Sequence, residues 1–67
     1  MKASDLVREY RKRARMSQVD LADISGVPQT TISAIERGTD PSWNTLKRLA
    51  ITLNITVEDL MGTEVKN

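Results

Sequence analysis

The chain has 67 residues, a formal net charge of +1, no cysteine and no histidine, and this length has room for one small domain with a single hydrophobic core. Without cysteine or histidine, we expect no disulfide framework, no zinc, haem or iron–sulfur site and no serine or cysteine catalytic triad of the usual kind. No apolar run reaches the ~20 residues of a membrane span and no signal peptide opens the chain, so we expect a cytoplasmic protein without a metal, a cofactor or a membrane partner.

Basic residues are concentrated near the start of the chain. Residues 8–15 contain five basic residues and one acidic residue, a local charge of +4, whereas residues 21–40 contain one basic and three acidic residues, a local charge of −2. The basic run fits a solvated helix face and a nucleic-acid-binding surface equally well.

The apolar spacing predicts helices throughout, starting with a first helix over about 4–14. Its apolar stripe consists of Val7, Tyr10 and Ala14. A second helix begins at Ser17, whose spacing to Asp20 is that of a capping box, and it ends at Gly26, a residue suited to a left-handed turn. Its apolar residues, which we expect to be mostly buried, are Val19, Leu21, Ala22 and Ile24.

Three further helices follow. The third spans about 28–37, because proline suits a first helical turn and Gly38 suits a stop. The fourth begins after its expected cap, Ser42, and the fifth begins at Thr56, which has capping-box spacing to Asp59. The apolar stripe of the fourth helix consists of Leu46, Leu49, Ala50 and Leu53.

The connection between the second and third helices contains only three or four residues around Gly26. A short, glycine-containing turn between two short helices favours a steep crossing, which is the geometry of a helix-turn-helix. A plain helical bundle with an incidental tight turn is the alternative.

The outer face of the third helix has an unusual composition. Ile32 and Ile35 lie on one side of this helix, and the opposite side carries Gln29, Thr30, Ser33, Ala34 and Arg37. An ordinary solvated face would carry Lys and Glu, which favour helix more than Ser or Thr do. Amide, hydroxyl, methyl and guanidinium groups are those that contact base edges in the DNA major groove. Glu36 falls on the inner side, where Arg11 of the first helix is its expected partner.

These residues form a pattern that resembles the Cro/CI-type (Xre-like) helix-turn-helix family, including the DNA-binding domains of lambdoid phage repressors. The pattern is Gln18-x-x-Leu21-Ala22-x-x-x-Gly26-Val27-x-x-x-x-Ile32-Ser33-x-x-Glu36-x-Gly38, continued by Pro41-Ser42-x-x-Thr45-Leu46-x-x-Leu49-Ala50 and Leu53-Asn54-Ile55-Thr56-Val57-x-x-Leu60. The resemblance implies one all-α, five-helix domain over 1–67, with a core of about 4–62, whose recognition helix enters the major groove of operator DNA.

The resemblance also implies roles for particular residues. The expected base-reading residues are Gln29, Thr30, Ser33 and Ala34. The expected DNA-backbone contacts are Ser17, Gln18, Thr31, Arg37, Thr39, Trp43 and Asn44. Gln18 also matches the glutamine that braces the first base-reading residue, and Arg11 with Glu36 matches a frequent interhelical salt bridge.

Two departures from the family pattern weaken the expected affinity of one subunit. Pro28 replaces a common capping Ser or Thr and so removes one phosphate contact. The loop 38–41 lacks the usual basic residue and contains Asp40, which phosphates repel. Trp43 fits a core or helix-start residue better than a stacking residue.

The family binds DNA most often as a two-fold dimer. The expected dimer interface consists of Ile51, Ile55, Val57 and Met61, although some of these could instead complete the core. We therefore expect a transcriptional regulator, most simply a repressor that binds a palindromic operator as a homodimer, encoded by a prokaryote or a phage. Activation is a further possibility.

The alternatives are an antitoxin-type protein or a protein-interaction module on the same fold. A protein-binding face should show aromatic or aliphatic anchors, which the outer face of the third helix lacks. An enzyme is not expected, because no glycine-rich phosphate loop or convergent carboxylate cluster is visible. No sensor domain is expected within these residues, so regulation should come from a partner protein or from protein concentration.

Overall fold

A computed structural model describes residues 3–61, which form five α-helices joined by short turns. The helices are α1 (Ala3–Arg13), α2 (Gln18–Ser25), α3 (Gln29–Glu36), α4 (Trp43–Leu53) and α5 (Val57–Met61). Within these residues there is no strand, and no helix is long and apolar enough to cross a membrane. The prediction of an all-α, five-helix fold is confirmed, and the predicted ends of the first three helices lie within one residue of the observed ends.

The predicted caps fix where the helices begin. At α2, the Asp20 N–H donates to Ser17 Oγ and the Ser17 N–H donates to Asp20 Oδ2, both at 3.0 Å. Thr56 and Asp59 form the same reciprocal pair at the start of α5. The side chain of Ser42 accepts from the backbone of the first turn of α4. Each cap satisfies N–H groups that have no partner within the helix.

Each of the first four helices is followed by a residue with a positive φ angle. These residues are Arg15 (59°), Gly26 (77°), Gly38 (113°) and Asn54 (59°). After α2 the chain needs only three residues, 26–28, before α3 begins. This tight turn favours glycine because of its φ angle, and a Cβ atom at Gly26 would in addition lie 3.2 Å from Arg48 Nη1, so the Arg48 side chain would have to shift slightly.

One hydrophobic core joins all five helices and the turn of the helix-turn-helix. The buried apolar residues are Val7, Leu21, Val27, Ile32, Ile35, Leu46, Leu49, Ala50 and Leu60. Val27 belongs to the turn between α2 and α3, and its burial packs this turn against the hydrophobic core. Because each helix contributes one inward face, the opposite faces of α2 and α3 remain at the surface.

The expectation that α2 is mostly buried is wrong. The residues that α2 turns towards the domain are Gln18, Leu21, Ala22 and Ser25. Val19 and Ile24 lie about 110° to either side of the centre of this face, and Ile24 is 64% exposed. A helix of eight residues that packs through one narrow face leaves its flanking apolar residues in solvent.

Two further core predictions need correction. Ala14 is exposed because α1 ends at Arg13, and a left-handed turn at Arg15 then redirects the chain. Trp43 is 61% exposed, so it is not a core residue. It is the first residue of α4, which agrees with the expected position at a helix start.

Candidate nucleic-acid interface

The outer face of α3 is open to solvent. Gln29, Thr30 and Arg37 are exposed, and Ser33 and Ala34 are half-buried. Four of these residues, all but Ala34, line one shallow groove. The face therefore presents an amide, two hydroxyls, a methyl group and a guanidinium, and it carries no carboxylate.

The inner residues of α3 determine this orientation. Ile32 and Ile35 are almost completely buried and lie about 60° apart around the helix. The N-terminus of α3 lacks a side-chain cap, because Pro28 occupies the N-cap position. The N–H groups of Thr31 and Ile32 donate to the Pro28 carbonyl, so the first turn is nevertheless formed. The apolar anchors thus hold the polar face outward along the whole of the short helix.

Glu36 is the acidic residue of α3, and it points into the domain. Its side chain is only 4% exposed and forms a bidentate salt bridge with Arg11 of α1. Arg11 Nε donates to Glu36 Oε2 at 2.8 Å, and Arg11 Nη2 donates to Glu36 Oε1 at 3.0 Å. Arg11 Nη1 also donates to the Met16 carbonyl at 2.9 Å. This geometry connects the C-terminal end of α3 to α1 and to the turn between α1 and α2.

Sequence reasoning missed two other partners of Glu36. Gln18 Nε2 donates to Glu36 Oε1 at 3.2 Å, and Arg8 Nη2 donates to the Glu36 carbonyl at 3.1 Å. Arg8 precedes Arg11 by three residues on the same face of α1, which is the spacing that could have revealed it. The amide of Gln18 is directed to Glu36 rather than to Gln29, the residue it is expected to brace. A buried carboxylate attracts every donor within reach, because each hydrogen bond offsets its lost hydration.

The charged partners control the ionisation of Glu36. Burial alone would raise its pKa, but hydrogen bonds from Arg11 and Gln18 and the charges of Arg11 and Arg8 outweigh burial. The pKa of Glu36 is therefore held below its ordinary value of 4.5. The carboxylate stays ionised at neutral pH and keeps its bonds to both helices.

Acid should weaken the fold through this group. A carboxyl whose pKa is lowered by folding stabilises the native state above its unfolded-state pKa, and that stabilisation disappears as the pH falls through the folded-state pKa. Glu36→Gln keeps an acceptor oxygen but cannot ionise. We expect the variant to melt below the wild type at neutral pH, and the gap in melting temperature to narrow below about pH 4.5. Melting curves followed by circular dichroism test this, and a gap that does not change with pH would contradict it.

The N-terminus of α2 already holds a carboxylate. Hydrogen bonds from the backbone and side chain of Ser17 lower the pKa of Asp20, so this group is ionised at neutral pH. The capping box uses the N–H groups of Ser17 and Asp20, and the N–H groups of Gln18 and Val19 remain at the helix end. A phosphate that bound at the N-terminus of α2 would therefore lie close to the negative charge of Asp20.

The other predicted DNA-backbone residues lie in and after α3. Thr31 is half-buried, whereas Arg37, Thr39, Trp43 and Asn44 are exposed. The Thr39 N–H donates to the Ala34 carbonyl at 3.0 Å, which fixes the start of the loop that leads to α4. The structure therefore leaves four of these five side chains accessible to a ligand, and of these only Arg37 lines the shallow groove on the outer face of α3.

The four residues predicted to form a dimer interface divide into two pairs. Ile51 on α4 and Met61 on α5 are 75% and 44% exposed. Ile55 and Val57 are half-buried and pack against the hydrophobic core. The first pair is available for a contact between subunits, and the second pair already contributes to the core of its own subunit.

Comparison with known proteins matches nearly the whole chain. A helix-turn-helix family model matches residues 7–60. The chain is 35% identical over 66 residues to the ImmF control region 10 kDa protein of Bacillus phage phi105, a match that covers 97% of this chain and 73% of that protein. It is 41% identical over 61 residues to the HTH-type transcriptional regulator SlrR of Bacillus subtilis, covering 88% of this chain and 40% of SlrR.

Solved structures agree with these sequence matches. The crystal structure of SinR, the master regulator for biofilm formation, in complex with DNA superposes with a TM-score of 0.83 at 32% identity. That match covers 87% of this chain and 95% of the SinR chain. The N-terminal DNA-binding domain of SinR from Bacillus subtilis superposes with a TM-score of 0.78, also at 32% identity, over 90% of this chain and 88% of that chain.

Proposed function

The chain belongs to this helix-turn-helix family of DNA-binding transcriptional regulators, and on that premise we propose that it represses transcription as a homodimer bound to a palindromic operator. In this proposal α3 lies in the major groove, and the bound dimer covers a promoter. The protein acts in the cytoplasm, on double-stranded DNA, and performs no catalytic step. A further protein partner could adjust the level of repression.

The distribution of charged side chains on α3 is the observation that most strongly supports this proposal. The carboxylate of α3 is buried in a salt bridge with Arg11, whereas the outer face presents only neutral polar groups, a methyl group and Arg37. DNA phosphates would repel an acidic residue on the outer face. A face without carboxylates or large apolar anchors suits base edges better than it suits a protein surface.

Each group on this face has a matching partner in the major groove. The Gln29 side-chain amide can donate to adenine N7 and accept from the adenine N6 amino group in one bidentate contact. The hydroxyls of Thr30 and Ser33 can donate or accept, and the Ala34 methyl group can pack on a thymine methyl group. Gln29 and Thr30 begin the helix, and the N-terminal residues of a recognition helix reach deepest into the groove.

Backbone contacts flank the recognition helix on two sides in this proposal. Gln18 and Ser17 approach one phosphate strand from the start of α2, and Thr31 does so from α3. Arg37, Thr39, Trp43 and Asn44 approach from the segment after α3. Such contacts set the position of the protein on the duplex and give affinity that does not depend on sequence.

Arg37→Ala should weaken binding to all duplexes alike. Loss of one phosphate contact lowers the slope of log K against log salt by about one unit for each bound subunit. Fluorescence anisotropy titrations over a series of salt concentrations measure this slope. The charge-preserving variant Arg37→Lys is the matched control and should retain most of it. An unchanged slope in Arg37→Ala would reject the phosphate contact.

Dimerisation extends the site that the protein can read. One recognition helix covers only about four or five base pairs, and two half-sites one helical turn apart provide a longer and more specific sequence. The exposed apolar side chains of Ile51 and Met61 are the proposed contact between subunits. Burial of such side chains against a second copy would remove apolar surface from water.

Selection from sheared genomic DNA tests the whole proposal. The protein is incubated with the fragments at near-physiological salt, and the bound fragments are recovered and sequenced. A palindrome with half-site centres about 10 base pairs apart supports a dimeric, sequence-specific regulator. An asymmetric enriched site would retain specific DNA binding and reject the two-fold dimer. Binding without any enrichment would reject sequence-specific regulation.

A further inference from the structure

Arg15 is an unusual residue type among the four left-handed residues that follow the first four helices, because the other three are glycine or asparagine. The turns after α1, α3 and α4 share one hydrogen-bond pattern, in which two successive N–H groups beyond the helix donate back to its last carbonyls. The left-handed residue is Gly38 after α3 and Asn54 after α4, and both residue types tolerate this conformation. After α1 the residue is Arg15, with the same φ angle of 59° as Asn54.

The fold gives no reason for arginine at this position. An L-residue with a long side chain is sterically penalised at this φ angle, and glycine would relieve the penalty. A cation at the end of α1 could interact with the helix dipole, but Arg11, Lys12 and Arg13 already occupy that last turn. Within residues 3–61, the Arg15 side chain forms no hydrogen bond and no ion pair.

Most of the neighbouring basic residues, unlike Arg15, form ion pairs within residues 3–61. Arg11 and Arg8 are committed to Glu36. Arg13 is paired with Glu9 at 2.9 Å and stacks on the Tyr10 ring, with its guanidinium carbon 5.3 Å from the ring centre. The basic run of residues 8–15 is therefore largely used in contacts within the domain. Lys12 and Arg15 are its two members without an ion pair in the described part of the chain.

We infer that Arg15 contacts a phosphate of the bound DNA, at the corner where α1 turns into α2. This inference rests on the proposed function. Arg15 is exposed and precedes the α2 cap, Ser17, by two residues. Asp20 places a negative charge at this corner, and a cation beside it would offset its repulsion of a phosphate. A guanidinium offers a fork of donors that suits phosphate oxygens, which gives a reason to keep arginine in an unfavourable backbone conformation.

Arg15→Gly should raise stability and lower DNA affinity at the same time. Removal of the strain should raise the melting temperature by about 4 °C. For each bound subunit, loss of the phosphate contact should lower the salt slope by about one unit and reduce affinity about five- to tenfold near 0.1 M salt. The probes are a labelled duplex of mixed sequence and a duplex that the wild-type protein selects from a random pool, and both should lose affinity alike.

Two control variants separate the contact from general effects. Asn54→Gly replaces the residue with the same φ angle after α4, so it should melt slightly higher and bind DNA as the wild type does. Arg13→Gln removes the same charge two residues away, from a side chain already committed to Glu9, and should change the salt slope less than Arg15→Gly. Arg15→Lys keeps the positive charge and should retain most of the slope of log K against log salt.

The outcomes distinguish this inference from the proposed function. If the wild type binds the selected duplex and Arg15→Gly binds it with an unchanged slope, the phosphate contact is rejected and DNA binding stands. If Arg13→Gln and Arg15→Gly lower the slope equally, the effect is one of net charge and the specific contact is rejected. If the wild type binds neither duplex, the proposed function fails and the role of Arg15 fails with it.

Discussion

Replacing Glu36 by alanine should lower the free energy of unfolding by about 3 kcal/mol, the usual effect of breaking a buried ion pair from one side. The loss is large because the variant leaves the Arg11 guanidinium, whose side chain is only 12% exposed, without its carboxylate. Gln18 loses its partner as well. For a domain of this size the change corresponds to a fall in melting temperature of about 15 °C, measured by circular dichroism or calorimetry.

Glu9→Ala provides a matched control for this loss. It removes the same side chain from an ion pair four residues apart on α1, but there both partners are exposed, at 44% for Glu9 and 66% for Arg13. An exposed pair of this kind contributes less than about 0.5 kcal/mol. If Glu36→Ala destabilises the protein no more than Glu9→Ala does, the buried salt bridge does not hold α3 against α1.

Local signals made the helix boundaries predictable. The capping boxes at Ser17 and Thr56 and the cap at Ser42 each depend on residues within three positions of one another, so the sequence alone contains the whole interaction. The glycines after α2 and α3 are equally local, because a positive φ angle is a property of a single residue. These signals divide the chain into its five helices without any knowledge of how the helices pack.

The burial of particular side chains and the contacts between helices depend on packing, which the sequence pattern alone does not reveal. Val19 and Ile24 are apolar and lie within a helix, but α2 is short and turns only one narrow face inward. The contacts of Gln18 and Arg8 with Glu36 join three helices across 18 and 28 residues of chain. No periodicity within one helix encodes such contacts. The left-handed conformation of Arg15 was missed for a different reason, because arginine carries no turn signal of its own.

The candidate interface was predictable from composition more than from geometry. Thr30 and Ser33 are unusual choices for the surface of a helix, because both favour helix less than Lys or Glu does, and the structure leaves Thr30 exposed and Ser33 half-buried. The wheel separates them from Ile32 and Ile35 without tertiary information. Their roles in reading DNA remain predictions, since they depend on the position of the duplex rather than on the fold.

For each bound subunit, Gln29→Ala should reduce affinity for the selected operator about five- to 150-fold, which corresponds to about 1–3 kcal/mol for the loss of one bidentate base contact. Gln29 is exposed at the first position of α3, so truncation creates no cavity and the melting temperature should not change. Affinity for a duplex of mixed sequence should change little, because non-specific binding depends on phosphate contacts. The ratio of the two affinities, measured by anisotropy at one salt concentration, therefore isolates the base contact.

Gln29→Glu is a second test of whether Gln29 donates a hydrogen bond to a base. The variant keeps the length of the side chain but replaces the donor with a carboxylate, which phosphates repel and which cannot donate to adenine N7. It should lose affinity for both duplexes, and it should lose more on the operator than Gln29→Ala does. If Gln29→Ala weakens the operator and the mixed duplex equally, Gln29 contacts the backbone rather than a base, and the specificity of the protein must come from Thr30, Ser33 and Ala34.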